Sequence, residues 1–459
     1  MTLRLQNFLL RLRRRCSRIS AMQSIVLTFL VIILVGSLLL SLPISARSRQ
    51  ATPFLTALFT ATSATCVTGL SLVDTCTHWS GFGQAVILLL IQVGGLGFMT
   101  IASLFFFATR RRIGLKERLV MAQSLGVDQL SGIVHLVQHV LLGTFLIEGA
   151  GALILTLRFC CDLPFGKALW WGVFHAISAF CNAGFDIVGA VEAGGSLIPF
   201  VADPVINVTL MLLITLGGLG FLVWEDLIRV RRFRKMSIHT RLVLVISAVL
   251  TFGGAAAFAA MEWHNPDTLG GLSAGRKLLA ALFQSVTTRT AGFCTIPQGA
   301  LTGASKAVTD FLMFIGGSSG STAGGVKTVT VGVLLLSVIA AARGRSRVTV
   351  FHRTIHAQQV SNAVAVVTVV FLLAFGSGII LSVTNGLPFG DCLYETVSAI
   401  ATVGLSTGIT ASLNVVSKLI LIVLMFFGRV GILTISLGFL LSNQAEERYS
   451  YAEAKVLIG

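Results

Sequence analysis

The sequence predicts an all-α polytopic membrane protein. We read it as four repeats of spanning helix, short re-entrant pore helix and spanning helix, with pseudo-fourfold symmetry around a central pore. Three observations predict this. First, 55% of the 459 residues are apolar and 11% charged, with a mean hydropathy of +0.89, which excludes a soluble globular fold. Second, apolar runs long enough to cross a bilayer, which takes about 20 residues each, lie near 22–43, 82–108, 133–157, 205–224, 242–262, 308–340, 360–384 and 415–441. Third, one short segment occurs four times: Ser63 to Leu70 returns as Ser178 to Phe185, Val286 to Phe293 and Ser398 to Leu405. Its glycines, Gly69, Gly184, Gly292 and Gly404, stand 115, 108 and 112 residues apart. A fixed period in a membrane chain marks one supersecondary unit used repeatedly.

The elements follow in order. Residues 1–20 are a basic N-terminus. With the apolar run after it, it resembles a signal peptide, but the run is too long for one, and cleavage would strip the first repeat of its opening helix. Repeat 1 covers 21–125, repeat 2 covers 126–236, repeat 3 covers 237–355 and repeat 4 covers 356–459 with the C-terminus. Short apolar pieces near 54–64, 168–180, 276–287 and 390–400 precede the repeated segments and are too short to span, so they read as half-membrane helices. The second span recurs too. Leu90 to Phe98 matches Leu213 to Phe221 almost letter for letter, and Phe314 to Gly317 and Phe426 to Gly431 fall at equivalent places. The expectation is eight spanning and four re-entrant helices.

The net charge of +16 is distributed as an orientation signal rather than a nucleic-acid surface. Most of the 34 basic residues lie in Arg4 to Arg18, Arg110 to Arg118, Arg229 to Arg241 and Arg343 to Arg353, all on one side if the spans alternate. The opposite side holds Asp74, Asp162, Asp186, Glu192, Asp203, Asp267, Asp391 and Glu395. This positive-inside pattern puts both termini in the cytoplasm of a plasma-membrane protein. The cysteines show no metal-binding spacing, and Cys66, Cys181 and Cys294 read as small buried hydrophobes. Cys181, His175 and Asp186 are a conceivable catalytic trio, but the other repeats offer no equivalent. A transporter of inverted repeats needs an odd number of spans per repeat, whereas each repeat here has two.

Irregular backbone at membrane depth survives only where protein buries it or water lines it. Four Gly-ended turns meeting at an axis supply carbonyl oxygens that replace the water around a cation of potassium size. The C-terminal ends of the short helices add partial negative charge there. A Gly-containing helix-packing motif is the competing reading for a single copy; four copies in register favour the pore.

These residues resemble the membrane subunit of the Trk/Ktr/HKT superfamily of potassium transporters, and the Ktr type most, from about Met22 onward. Its most specific segments are Thr65 to Gly69, Asn182 to Phe185, Thr287 to Phe293 and Thr402 to Gly408. The resemblance implies a potassium-selective filter at Val67, Thr68 and Gly69, at Asn182, Ala183 and Gly184, at Thr290, Ala291 and Gly292, and at Thr402, Val403 and Gly404. Glycine at all four fixed points goes with potassium in that family; members favouring sodium often carry serine at the first. Cys181 departs from the asparagine expected there. The resemblance further implies potassium as transported ion, sodium as activator, a homodimer, and a cytosolic regulatory ring that binds ATP or ADP. A less selective sodium/potassium transporter of the same superfamily is the alternative.

Two breaks in the repeat are gate candidates. Repeat 3 inserts Gly316, Gly317, Ser318, Ser319, Gly320, Ser321, Thr322, Ala323, Gly324, Gly325, Val326 and Lys327, too rich in Gly, Ser and Thr for a regular helix. Val326 between Gly325 and Lys327, and the lack of a preceding strand, argue against a phosphate loop. The resemblance implies an intramembrane loop obstructing the pore below the filter; a kinked packing helix is the other reading. Repeat 4 places Arg429 at the position of Gly95, Gly218 and Gly317. A mid-membrane arginine costs about 2.5–3.5 kcal/mol on insertion scales and needs interior partners, so it reads as a gate, as a carbonyl clamp, or as both. Arg289, inside the third turn, is expected to point away from the axis. Glu148 and Glu262 read as helix or mouth contacts, and Asp74 and Asp186 either as focusing acids or as solvated loop residues.

Overall fold

The computed structural model describes residues 21–97, 114, 118–119, 121–122, 132–189, 196–345 and 347–431. The N-terminal basic stretch, nearly all of the 110–118 stretch, Glu192, the distal parts of the 82–108 and 415–441 runs and the C-terminus lie outside them.

The helices run α1 (Ala21–Ser41), α2 (Phe54–Thr65), α3 (Gly81–Leu96), α4 (Ile133–Phe159), α5 (Phe165–Phe180), α6 (Pro204–Leu219), α7 (Phe221–Val230), α8 (Ile238–Glu262), α9 (Ala274–Thr287), α10 (Gly303–Phe314), α11 (Thr328–Ala342), α12 (Ala357–Asn385), α13 (Phe389–Ile400) and α14 (Val415–Val430). Among the described residues the only strands are the short pair Thr349–Val350 and Arg353–Thr354, within the last basic stretch. The longest and most apolar helices, α1, α4, α8 and α12, are each long enough to cross a bilayer. They turn large side chains outward, such as Leu34 at 51%, Leu142 at 62% and Val383 at 78% exposure, as hydrocarbon-facing helices do.

The short helices start and stop as their sequences dictate. Pro53, Pro164 and Pro388 stand at the N-caps of α2, α5 and α13, where proline's fixed φ suits the entry and its missing N–H costs nothing. Ser80, Asp203, Thr302 and Asn414 cap α3, α6, α10 and α14 by accepting from first-turn amides. Each of the four short helices packs most extensively on the long helix before it. The main hydrophobic clusters gather around the short helices, with Phe59, Phe174, Phe180, Phe283 and Tyr394 almost completely buried.

One expectation needs correction. The runs 82–108, 205–224, 308–340 and 415–441 are not continuous helices. α3 ends at Gly97 (φ 80°), α6 at Gly220 (φ 99°) and α14 at Gly431 (φ 90°). After Gly220 the chain bends by 95° into α7. Between α10 and α11 the backbone from Ile315 to Lys327 is non-helical, closed by a parallel bridge from Ile315 to Val326. Left-handed φ ends a helix at little cost only at glycine. Gly97, Gly220 and Gly431 occupy one column of the repeated Gly-Gly-x-Gly pattern, a signal hydropathy alone does not register.

Candidate functional site: a ring of four glycine turns

The turns after α2, α5, α9 and α13 converge. α3 packs on α5, α6 on α9, α10 on α13, and α14 back on α2, so the arrangement closes on itself in chain order. At its centre the glycines meet. A methyl group on Gly69 would lie 2.5 Å from Ala183 O, and one on Gly184 would lie 2.7 Å from Ala291 O. A methyl on Gly292 would overlap Val403 O, and one on Gly404 would overlap Thr68 O. Each glycine therefore meets a backbone carbonyl of the next turn in chain order, around a closed ring. All four glycines have positive φ, at 96°, 67°, 80° and 92°. Two residues earlier, Val67, Asn182, Thr290 and Thr402 are also left-handed, at 56°, 58°, 68° and 53°. For β-branched Val67, Thr290 and Thr402 this is strained backbone, of the kind that persists only where the surroundings over-determine it.

Every predicted ring residue is thus brought to one place, and all of them but Gly69 and Gly404 are buried. The bracing side chains were not singled out from the sequence. Ser63 Oγ accepts from Gly69 N at 3.0 Å, and Ser398 Oγ accepts from Gly404 N at 3.0 Å. In the other two turns the hydroxyl donates instead, Ser178 to Phe185 O and Thr287 to Phe293 O, both at 2.7 Å. Ser63, Ser178 and Ser398 share one column, which was the available signal. Glu395, expected among the acids of one face, is buried within α13 and accepts from Ser406 Oγ, Thr407 N and Thr410 Oγ1, holding the outgoing limb of the fourth turn. The second helices approach so closely that a β-carbon at Gly94, Gly217 or Gly428 would overlap Thr65 O, Phe180 O or Ile400 O. Glycine at these three equivalent positions is spacing for these contacts.

A cavity of about 300 Å³ opens above the ring, lined by all four glycines and by Asp74, Asp186, Ser406 and Thr410. Asp74 also caps a helical turn by accepting from Thr77 N at 2.7 Å. Asp186 accepts from Val188 N at 3.2 Å, and burial pushes its carboxyl up to about 6 against the pull of that bond and of Ser196.

On the opposite side of the ring lies the segment from Gly316 to Lys327. Ser318 N donates to Gly218 O at 3.0 Å, Thr322 N to Gly217 O at 3.2 Å, and Phe221 N to Gly320 O at 2.8 Å. Thr322 Oγ1 reaches Phe180 O, and a β-carbon on Gly324 would overlap the Thr402 hydroxyl. The segment therefore sits directly beneath the second and fourth turns. Arg429 donates to Thr322 O, to Gly94 O at 2.5 Å and to Gly95 O at 2.8 Å, tying the segment to α3. Lys327 Nζ donates to Ala323 O at 2.7 Å, within the segment. Arg289 points away from the ring, with its guanidinium on Ser247 and on Thr251 Oγ1 in α8. Cys181, His175 and Asp186 bond to different partners: Cys181 to Gln92 and Glu148, His175 to Trp171 and Ile187, Asp186 to Val188. They form no catalytic relay.

A helical membrane architecture around a closed ring of backbone carbonyls defines a membrane transport protein. The comparisons with known proteins agree. Residues 37–449 match the family model described as "TrkH: Cation transport protein", and the chain belongs to this Trk/Ktr family of transporters. It is 39% identical to the potassium/sodium uptake protein NtpJ of Enterococcus hirae, over 97% of this chain and 99% of the relative. It is 40% identical to the Ktr system potassium uptake protein B of Bacillus subtilis, over 95% of this chain and 96% of the relative. Its fold resembles the crystal structure of the potassium transporter TrkH from Vibrio parahaemolyticus, with a TM-score of 0.68 at 19% identity, covering 91% of this chain and 85% of that one.

Proposed function

We propose that the chain carries potassium into the cell through a filter formed by Val67 to Gly69, Asn182 to Gly184, Thr290 to Gly292 and Thr402 to Gly404. The observation that carries this reading is the closed ring in which each glycine lies against the carbonyl of the next turn. Carbonyl oxygens so arranged replace a dehydrated monovalent cation's water shell. The hydroxyls of Thr68 and Thr402 are buried with no protein partner, which suits oxygen ligation of such a cation at the same place. The C-terminal ends of α2, α5, α9 and α13 direct partial negative charge inward. Four repeats of two spans each, eight in all, with the boundaries given above and both termini cytoplasmic, place the acidic vestibule outside. The membrane potential then drives uptake, at about 2.3 kcal/mol per charge per 100 mV.

Gly316 to Lys327 with Arg429 is the gate. The Arg429 guanidinium beneath the filter repels potassium, and its bonds to the segment and to α3 hold the path closed until they exchange. The Ktr system names of relatives support a regulatory partner, and a cytosolic nucleotide-binding ring, a homodimer and stimulation by sodium complete the proposal. A second reading, uptake of both potassium and sodium, is favoured by the name of the Enterococcus relative.

Rubidium and sodium uptake into liposomes by the purified chain with its regulatory partner tests both. Uptake of rubidium well above sodium supports the selective filter. Equal uptake moves the reading to the second, and no uptake of either ion by folded protein sinks both.

A further inference from the structure

Glu148 is a buried carboxyl group for which the transport reading has no use. It stands near the middle of α4 and is 5% exposed. Gln92 Nε2, from α3, donates to its oxygens at 3.2 and 3.1 Å. Cys181 Sγ, at the C-cap of α5, donates to Gln92 Oε1 at 3.7 Å and to Glu148 Oε1 at 3.8 Å. Three helices therefore converge on the residue just before Asn182, where the second turn begins. On its other side Cys181 presses on α3: a methyl on Gly95 would lie 2.6 Å from Sγ. Gly95 O in turn accepts from Arg429. A carboxyl group at this depth is expensive, and leucine would fill the same space without that cost, so its presence calls for a use.

The third turn supplies the parallel. Cys181 and Arg289 each stand three residues before their glycine. Arg289 is tethered to the long helix before it, through Ser247 and Thr251 of α8, as Cys181 is tethered to Glu148 of α4. The equivalent residues of the other turns are Cys66 and Ala401. Those two turns are instead held from within, by Ser63 and Ser398 on the glycine amides. The second and third turns spend their hydroxyls on the residue after the glycine and are anchored from outside.

We propose that Glu148 is a positioning residue for the second turn: with Gln92 it fixes Cys181, and through Cys181 the backbone from Asn182 to Gly184. This rests on reading the four turns as an ion filter. The test is rubidium and sodium uptake in liposomes by the full chain with its partner, for Glu148→Leu, Gln92→Leu, the double variant and Gly184→Ser. Glu148→Leu removes both acceptors at similar volume and should lower the rubidium-over-sodium ratio about fivefold, on the scale of one or two lost buried hydrogen bonds. Gln92→Leu should lower it similarly, and the double variant no further, because both act through one contact. Glu148→Gln should restore most of the ratio. A purely structural role lowers folded yield and leaves the ratio alone; an unchanged ratio in folded Glu148→Leu overturns the proposal. If that variant does not fold, an unchanged ratio in Gln92→Leu does the same. Gly184→Ser separates the two levels. If it shifts the ratio and the other variants do not, only this inference fails; if it too leaves the ratio unchanged, the filter reading fails with it.

Discussion

The ring of turns and the layer beneath it are made by successive stretches of chain and obey different rules. In the ring, four glycines share one left-handed conformation and each meets the next turn's carbonyl. Beneath it, the column that reads Gly95 and Gly218 becomes Gly317 at the head of a non-helical segment and then Arg429, whose guanidinium reaches across to α3. On the proposed reading the ring is a filter, and a filter that coordinates one ion from all sides gains from equivalence, because an unequal wall leaves one carbonyl too far or too close. On the same reading the layer beneath is a gate, which gains from inequality, since a single element that moves opens or closes the whole path. The same contrast appears in how the turns are braced: the first and fourth from within, the second and third from outside.

Breaking the equivalence of the ring should have the largest effect. Gly404→Ala puts a methyl on Thr68 O at a φ of 92°, where neither backbone can yield. Strain of about 1–3 kcal/mol should cut rubidium uptake at least tenfold at equal folded yield, and near-normal uptake would remove Gly404 from the ion path. Gly69→Ser, against Ala183 O, should chiefly weaken discrimination of rubidium from sodium. Relaxing the unequal layer comes next and runs in the opposite direction. Arg429→Gln, or shortening of 316–325, should raise uptake several-fold while leaving selectivity intact; unchanged uptake at equal expression would count against a gate there. The braces sharpen the contrast further. Ser63→Ala and Ser398→Ala strand a buried amide worth about 1–3 kcal/mol and should lower the rubidium-over-sodium ratio. Ser178→Ala frees a carbonyl rather than an amide and should do so less, and equal effects in all three would show that the two bracing systems are energetically the same.

The smallest effect concerns the vestibule. Asp186 is raised by burial to about 6, so it is charged at pH 7 and loses its charge as the outside pH falls through 6. Attraction of cations weakens with it. Uptake at low rubidium and low ionic strength should fall by about half between pH 7 and pH 5, by loss of one focusing charge beside Asp74. Asp186→Asn should be lower at pH 7 and flat over the range; a slope equal to the parent's would assign the pH response elsewhere.

Much of this was legible in the chain. The short helices lie within a few residues of their apolar runs, and the four glycines are the ones the period marks. The non-helical segment of 316–327 follows from a density of Gly, Ser and Thr that no helix tolerates. The breaks at Gly97, Gly220 and Gly431 were not read, because hydropathy continues across them without a dip. The roles of Gly94, Gly217 and Gly428 were hidden too, since what they touch lies in a different helix. Glu148 reads in the sequence only as a helix or mouth contact, because Gln92 and Cys181 are 56 and 33 residues away from it in the chain.

By itself the sequence determined the class, the number of turns and their fixed points, because hydropathy, helix length and a repeated glycine are properties of neighbouring residues. Only the tertiary structure decided which carbonyl faces which glycine, which oxygens Arg429 takes, and which two turns are anchored from outside. The first two are contacts between stretches about a hundred residues or more apart, and even the anchors join residues 33 to 42 apart on different helices, so none exists before the helices pack.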